Sequence, residues 1–401
     1  MRGSRVWAEI DLTSVRHNVK VLSQIVGPHV QIAAVVKADA YGHGAVPVAY
    51  AALKAGCSLL GVGDSGEALE LRDRGILAPI LILGAIIEEE IPRVVENDIQ
   101  VTVHSADLLS PLSREAARVG KQLDIHVKID TGMRRLGISP RGAADVLSTL
   151  SALPNLRLRG ICTHLSTVAG GNLDYARFQI NSFRDAVETL RRKGLVDIEK
   201  IMIHAANSAG VLTLQESHFD MVRTGIAMYG TLPETLAGMR PKLRPALSLK
   251  TRIAALKQLP EGAFVGYDQR YRCPAPTVLA TLPIGYNDGY PYHLSNRGVV
   301  ALRGCRAPVV GSVSMDYITA DVSQVPGVRV GDVVTVIGRD GAAGIPLEEL
   351  AELAQTIPYE LTCRLGRRVR RVYSDSEAVF ESEPSPDRKT SRWLSPDRLK
   401  R

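Results

Sequence analysis

With 401 residues, 45% hydrophobic and 23% charged, the chain is long enough for two domains and a large buried core. No apolar run approaches the roughly 20 residues of a membrane helix, and the opening Met-Arg-Gly-Ser-Arg-Val-Trp has no secretory apolar stretch, so the cytoplasm is expected and a membrane partner is not. From Leu361 onward eleven Lys and Arg face six Asp and Glu, which takes up most of the formal charge of +7; the body offers no basic face, and nucleic acid is not an expected partner. Cys57, Cys162, Cys273, Cys305 and Cys363 are scattered, which argues against a disulfide framework and against a metal cluster.

In chain order, Val6–Ile10 alternates like a strand. Eight short apolar, β-branched runs follow: Gln31–Val36, Ser58–Val62, Pro79–Leu83, Ile99–Val103, Leu123–Ile129, Arg157–Thr163, Lys200–His204 and Phe219–Val222. Each of the first seven leads into a segment with helical spacing. Eight strand–helix units in this length predict an α/β fold, an N-terminal (β/α)8 TIM barrel over residues 1–242. The texture then changes to alternating runs punctuated by Pro and Gly: Ser248–Ala255, Thr277–Leu282, Val299–Leu302, Val309–Val313 and Val333–Ile337. They predict a mostly β C-terminal domain over 243–379, with Val6–Ile10 as an extra strand of it. From 380 to 401 the composition is that of a disordered basic tail, with Trp393 and Leu394 its only apolar anchor.

In a barrel, chemistry belongs at the C-terminal ends of the strands. Lys37 closes the first barrel strand, where poor hydration lowers an amine's pKa and favours Schiff-base chemistry. By position alone a snorkelling rim lysine is the commoner reading. Lys128 lies inside the fifth strand, and Arg135 follows it. Later strands end in His164, in His204 and in Arg223. Ser208, Gly225 and Ile226 stand after strands seven and eight, where barrels commonly bind phosphate. Each alone has a structural reading; five consecutive strand ends together point to a phosphorylated cofactor. Tyr267, Tyr286, Met315, Asp316 and Tyr359 sit in Gly- or Pro-flanked turns of the β region, and such tyrosines are usually packing residues.

The motifs taken together resemble the alanine racemase family. Val36–Gly44 (Val-Lys-Ala-Asp-Ala-Tyr-Gly-His-Gly) resembles its cofactor-lysine motif, and Val127–Gly137, Val222–Gly230, Val265–Tyr267, Gly285–Pro291, Val313–Asp316 and Tyr359–Glu360 follow in the family's order. The likeness runs from Trp7 to Tyr373.

It implies pyridoxal 5'-phosphate as cofactor, L- and D-alanine as substrates, and D-alanine supplied for cell-wall peptidoglycan. Lys37 would carry the cofactor and act as base on one face of the substrate, with Tyr267 acting on the other. Tyr41, Ser208, Gly225, Ile226 and Tyr359 would contact the phosphate, and Arg223, supported by His164, the ring nitrogen. Arg135 and Met315 would meet the substrate carboxylate. Lys128, carbamylated in many members, would orient Arg135, with Tyr286 and Asp316 as further supporting residues. A homodimer with shared active sites is implied too. Asp268 stands where glycine is usual, and Arg134 adds a charge. The rival readings are a racemase of broader specificity and a non-catalytic cofactor carrier; the second is disfavoured by the β region with Tyr267 and Met315.

Overall fold

The computed structural model describes residues 4–168, 173–232, 236, 243–375 and 378–381. Strand β1 (Val6–Asp11) opens the chain. A closed parallel barrel follows: β2 (Gln31–Val35), β3 (Leu59–Val62), β4 (Ile80–Ile82), β5 (Gln100–Val103), β6 (Leu123–Lys128), β7 (Leu156–Cys162), β8 (Met202–His204) and β9 (Met221–Thr224). Closure is direct, with Ile32 beside Val222 and Ala33 beside Arg223. Each expected run overlaps one of these strands, although β7 starts one residue before its run and β9 ends two residues beyond.

Alternation along the strands divides the barrel interior. On one side Ala33, Leu59, Leu81 and Met221 form a small apolar cluster with Leu83 and Met202. On the other, Gln100, Thr102, His126, Lys128, His204 and Arg223 are all buried. The outer helices face the barrel with apolar stripes. Leu12–Val26, for example, buries Leu12, Val15, Val19 and Leu22, and Asp11 caps it by accepting from Thr13 N at 2.9 Å.

The remaining strands are β10 (Leu247–Arg252), β11 (Ala255–Leu259), β12 (Phe264–Val265), β13 (Tyr271–Arg272), β14 (Thr277–Leu282), β15 (Val299–Leu302), β16 (Cys305–Pro308), β17 (Ile318–Asp321), β18 (Val333–Asp340), β19 (Ala343–Ile345), β20 (Arg370–Asp375) and β21 (Ala378–Glu381). The larger sheet runs β16-β15-β18-β10-β1-β20-β21, with β19 on β18; β11-β14-β17 form a second sheet. Strand β1 pairs with β10 antiparallel and with β20 parallel. The apolar run Ser248–Ala255 splits between the two sheets, because Ile253 turns inward and ties its backbone to Gly331 and Asp332.

The expected strand Val309–Val313 does not form; only Val309 makes a bridge, to Ala320. Its valines are buried, and Val309 N and Val310 N still donate to Gly298 O (2.8 Å) and Thr319 O (2.9 Å); beyond them side chains take over, with Gly311 N donating to Asn296 Oδ1 at 2.6 Å and Val313 N to Ser295 Oγ at 2.9 Å. Of the expected tail, Phe380 and Glu381 lie in β21, and residues 382–401, with Trp393 and Leu394, lie outside the described residues.

One side chain pins the barrel to the segment leading out of it. Asn18, fully buried, donates to Met228 O (3.0 Å) and Arg244 O (2.8 Å) and accepts from Arg244 N at 2.8 Å. Asn18→Ala strands three backbone groups, so urea unfolding should show a loss of about 3 kcal/mol; a loss below about 0.5 kcal/mol would mean that water replaces the amide.

Candidate active site

The lysine end of β2 has an unusual backbone. After Val36 the chain makes a left-handed turn, with φ of 52°, 52°, 53° and 55° at Ala38, Asp39, Ala40 and Tyr41. Such residues cost roughly 1–2 kcal/mol each, so the turn must be held from outside. Glu67 accepts from Ala38 N (2.6 Å) with one oxygen and from Gly63 N (2.8 Å) with the other; Asp39 accepts from Ala45 N at 2.7 Å. Arg371, on β20, donates to Gly42 O at 3.2 Å and to the carbonyls of Leu365, Gly366 and Val369.

The turn sets Lys37 at the barrel mouth and folds Tyr41 back onto Tyr229, with ring centres 5.3 Å apart, and edge-on to Tyr359 at 6.5 Å. Glu67, His43, Tyr229 and Arg371 were not among the residues singled out from the sequence. Glu67 lies in the helix Ser65–Asp73, five residues past the end of β3.

Around the mouth lies a group of cations. Burial, and then Arg135, hold the Lys37 amine below its usual pKa, while Glu67 opposes them. Burial lowers Lys128 as well, with Arg223 and Arg135 adding to it. His164 is pushed well below its usual value by burial and then by Arg223, Lys128, Arg135 and Lys37. The site therefore attracts anions and keeps its imidazoles neutral. Arg223 is buried and donates to His204 Nδ1 (2.7 Å), Thr163 O (2.7 Å), Ala205 O (2.9 Å) and His164 Nδ1 (3.3 Å). The closer imidazole is thus His204, which the motif comparison had not assigned.

Beside it, Ser208 starts the helix Ser208–Thr213, and its hydroxyl accepts from Gly225 N (2.9 Å) and Ala227 N (3.3 Å). A methyl group on Gly225 would come 2.7 Å from the Tyr41 hydroxyl, so only glycine leaves this cradle open. Tyr41, Ile226 and Tyr359 line one narrow cleft with Tyr229 and Thr362. An amine, a donor-only cation and an open backbone cradle in one recess fit a phosphorylated aldehyde.

The other candidates form a second patch. Ser312 Oγ donates to Tyr267 O at 3.3 Å; Tyr286 N and Asn287 N donate to Ser314 O and Met315 O, both at 3.1 Å. Tyr267, Tyr286 and Met315 are 72%, 47% and 53% exposed. Asp316 pairs with Arg368 at 2.6 Å, and Arg368 also clasps the buried Asp288. Asp268 has φ 59° and ψ 16°, the left-handed conformation that suits the glycine usual there. Arg134 is left-handed too, with φ 58°, and donates its N–H to Asp130 Oδ1 at 3.0 Å.

Residues 10–233 match the alanine racemase N-terminal domain, and residues 246–373 the alanine racemase C-terminal domain. The chain belongs to the alanine racemase family. It is 41% identical over 370 residues to an alanine racemase of Methanococcus maripaludis, covering 92% of this chain and 98% of that one. Its fold matches the alanine racemase structure from Clostridium difficile 630 with a TM-score of 0.90 at 32% identity, over 96% and 100% of the two chains. It also matches the Bartonella henselae alanine racemase with covalently bound pyridoxal phosphate (TM-score 0.82, 28% identity, 92% and 100% covered). Alanine racemases are pyridoxal-phosphate-dependent isomerases, and this chain is one of them. No helix among the described residues is long and apolar enough to cross a membrane.

The site's neutral imidazoles give the fold an acid limit. Burial lowers His43 to about 4 and His126 to about 3, and His204 well below its usual value. Because the folded pKa lies below the unfolded one, stability is level above about pH 6.5 and falls below it as the unfolded chain takes up protons. Each such ring costs about 2 kcal/mol at pH 5. The urea midpoint should therefore drop sharply between pH 7.5 and 5, whereas a level midpoint would show that these rings protonate in place.

Proposed function

We propose that this chain interconverts L- and D-alanine with two acid–base groups, Lys37 on one face of the α-carbon and Tyr267 of a second subunit on the other. Inverting the centre requires a proton to leave one face and another to arrive opposite, so two separately held groups are needed. The observation that carries the reading is Lys37: a primary amine, kept below its usual pKa by burial and Arg135, fixed on the left-handed turn at the mouth of a cationic recess.

Bound pyridoxal phosphate supplies an electron sink that acidifies the α-C–H. Lys37 Nζ would carry the cofactor and, once released, move the proton on its own face. Ser208, Gly225, Ile226, Tyr41 and Tyr359 would hold the phosphate. Arg223 would donate to the ring nitrogen; since it cannot give up its own proton, it leaves that nitrogen neutral and restrains the electron sink. Arg135, and Met315 through its backbone N–H, would hold the substrate carboxylate, with Tyr286 and Asp316 supporting the same patch. Burial lowers the Lys128 pKa and so favours the neutral amine, the form that would add carbon dioxide to give a carbamate and a proton; the anion would face Arg135. D-alanine so formed would serve cell-wall peptidoglycan.

The shared site is supported by the Tyr267 side chain, which is 72% exposed and whose hydroxyl has no hydrogen-bond partner among the described residues.

Lys37→Ala should remove the visible absorption of bound cofactor and lower interconversion by about 1,000-fold or more; retained turnover would overturn the assignment. Tyr267→Phe should cost about 100-fold or more, with α-proton exchange from L-alanine hit harder than from D-alanine. Mixing the two inactive variants under subunit exchange tests the shared site. Half the dimers are then mixed, and each has one site with Lys37 and Tyr267 both intact, so activity should return to about a quarter of wild type. No recovery would show that each subunit uses its own tyrosine.

A further inference from the structure

Beyond the mouth, the polar half of the barrel interior continues downward as a connected line. Arg223 Nη1 meets His204 Nδ1 at 2.7 Å, His204 Nε2 meets His126 Nδ1 at 2.9 Å, and His126 Nε2 meets Gln100 Oε1 at 3.1 Å. Both imidazoles are fully buried and Gln100 nearly so. Gln100 also lines a cavity of about 140 Å³ at the opposite end of the barrel, among Asp98, Lys121, Asp124 and Arg157. The line thus spans the barrel from the cofactor end to the far end.

The direction of every bond in it follows from its first member. A guanidinium has donors only. His204 Nδ1 must therefore accept, which places the His204 proton on Nε2. That proton leaves His126 Nδ1 as the acceptor and puts the His126 proton on Nε2, where only an acceptor can end the line. Gln100 Oε1 is that acceptor. Each neutral ring has one permitted tautomer, and a chain of like-directed hydrogen bonds polarises each of its members.

Room for it is built into the strands. β6 and β7 shift register between Ile125 and His126, and a methyl group on Gly160 would lie 2.5 Å from His126 Nδ1. The charged groups facing His126 are Asp124, Arg159 and Arg223; those facing His204 are Arg223 and Lys128, with the His126 ring beside them.

We infer that His204, His126 and Gln100 form a one-way hydrogen-bond line that fixes the orientation of Arg223 toward the cofactor, and that Gln100, at the far end, is a positioning residue for racemisation. The inference rests on the reading of Arg223 as the partner of the ring nitrogen. Without an acceptor at the far end, His126 is free to exchange tautomers, His204 loses its fixed lone pair, and Arg223 loses its shortest side-chain bond.

Long-range proton–nitrogen NMR on the full-length protein with [15N]histidine tests the line without turnover, at pH 7.5, with and without cofactor. His126 and His204 should both be neutral with the proton on Nε2. In Gln100→Leu the His126 nitrogen shifts should move toward the mixed-tautomer average. In the loaded enzyme, kcat for alanine should fall about tenfold, the lower end of what partners behind a reactive group contribute elsewhere, with KM within about twofold. Gln100→Glu, which restores an oxygen acceptor in either protonation state, should recover most of the kcat.

A proton on Nδ1 of either ring in the wild type overturns the inference, as does Gln100→Leu with unchanged nitrogen shifts and unchanged kcat. A kcat loss that Gln100→Glu does not repair assigns Gln100 to packing and overturns its positioning role. If the wild type does not racemise alanine, the functional reading fails, while the NMR still decides the line.

Discussion

Arg223 sits inside the barrel without a carboxylate partner among the described residues, and much of the architecture around it follows from that. Burying a cation costs several kcal/mol, and a charge-assisted hydrogen bond returns roughly 1.5–3 kcal/mol. The four acceptors around the guanidinium therefore offset that cost. A carboxylate would satisfy the cation too, but it would cancel the positive charge that the recess keeps. Carbonyls and neutral imidazoles satisfy the cation while leaving it only able to donate. The requirement spreads: an imidazole that accepts on one nitrogen must donate on the other, and so polar residues replace apolar ones through half of the barrel interior.

The opposite side of the recess solves a geometric problem. A strand that ends in the usual way would send Lys37 and Tyr41 in different directions. Four left-handed residues bring the chain back on itself within five positions, so that the amine stays at the mouth while the phenol turns toward Gly225. The strain is offset by Glu67, whose two oxygens hold Ala38 and Gly63. The same carboxylate counters part of the lowering that burial and Arg135 impose on the Lys37 amine, so one side chain both braces the turn and moderates the proton affinity beside it.

The eight barrel strands were legible because each is a short apolar, β-branched run and the first seven each lead into a helical segment. The C-terminal strands were legible only where alternation coincided with ladder pairing. It did so at Thr277–Leu282, which is β14 to the residue. It failed at Val309–Val313, where pairing with β17 stops at Val310 and side chains take the donors beyond it, and at Cys305–Pro308 and Ile318–Asp321, too short to show a period. Among the site residues, those carried by motifs at strand ends could be named. Glu67, Tyr229, His126 and Gln100 could not, because each works through a partner distant in sequence. A histidine or glutamine in an apolar strand has no local signature that separates a relay from a satisfied core group.

The two proposed acid–base groups also differ in how the chain supports them. Lys37 is set by a strained turn, three side-chain braces and the field of neighbouring cations, all within one subunit. Tyr267 stands on the short turn after β12, next to a left-handed Asp268, and its backbone carbonyl accepts from Ser312 Oγ. A side chain with so little of its own subunit around it gains its orientation from whatever covers it. If a second copy does so, the geometry of one face of the substrate is set by folding and that of the other by assembly. In that arrangement catalysis depends on protein concentration through Tyr267 and not through Lys37, a division built into which residues the chain braces and which it leaves exposed.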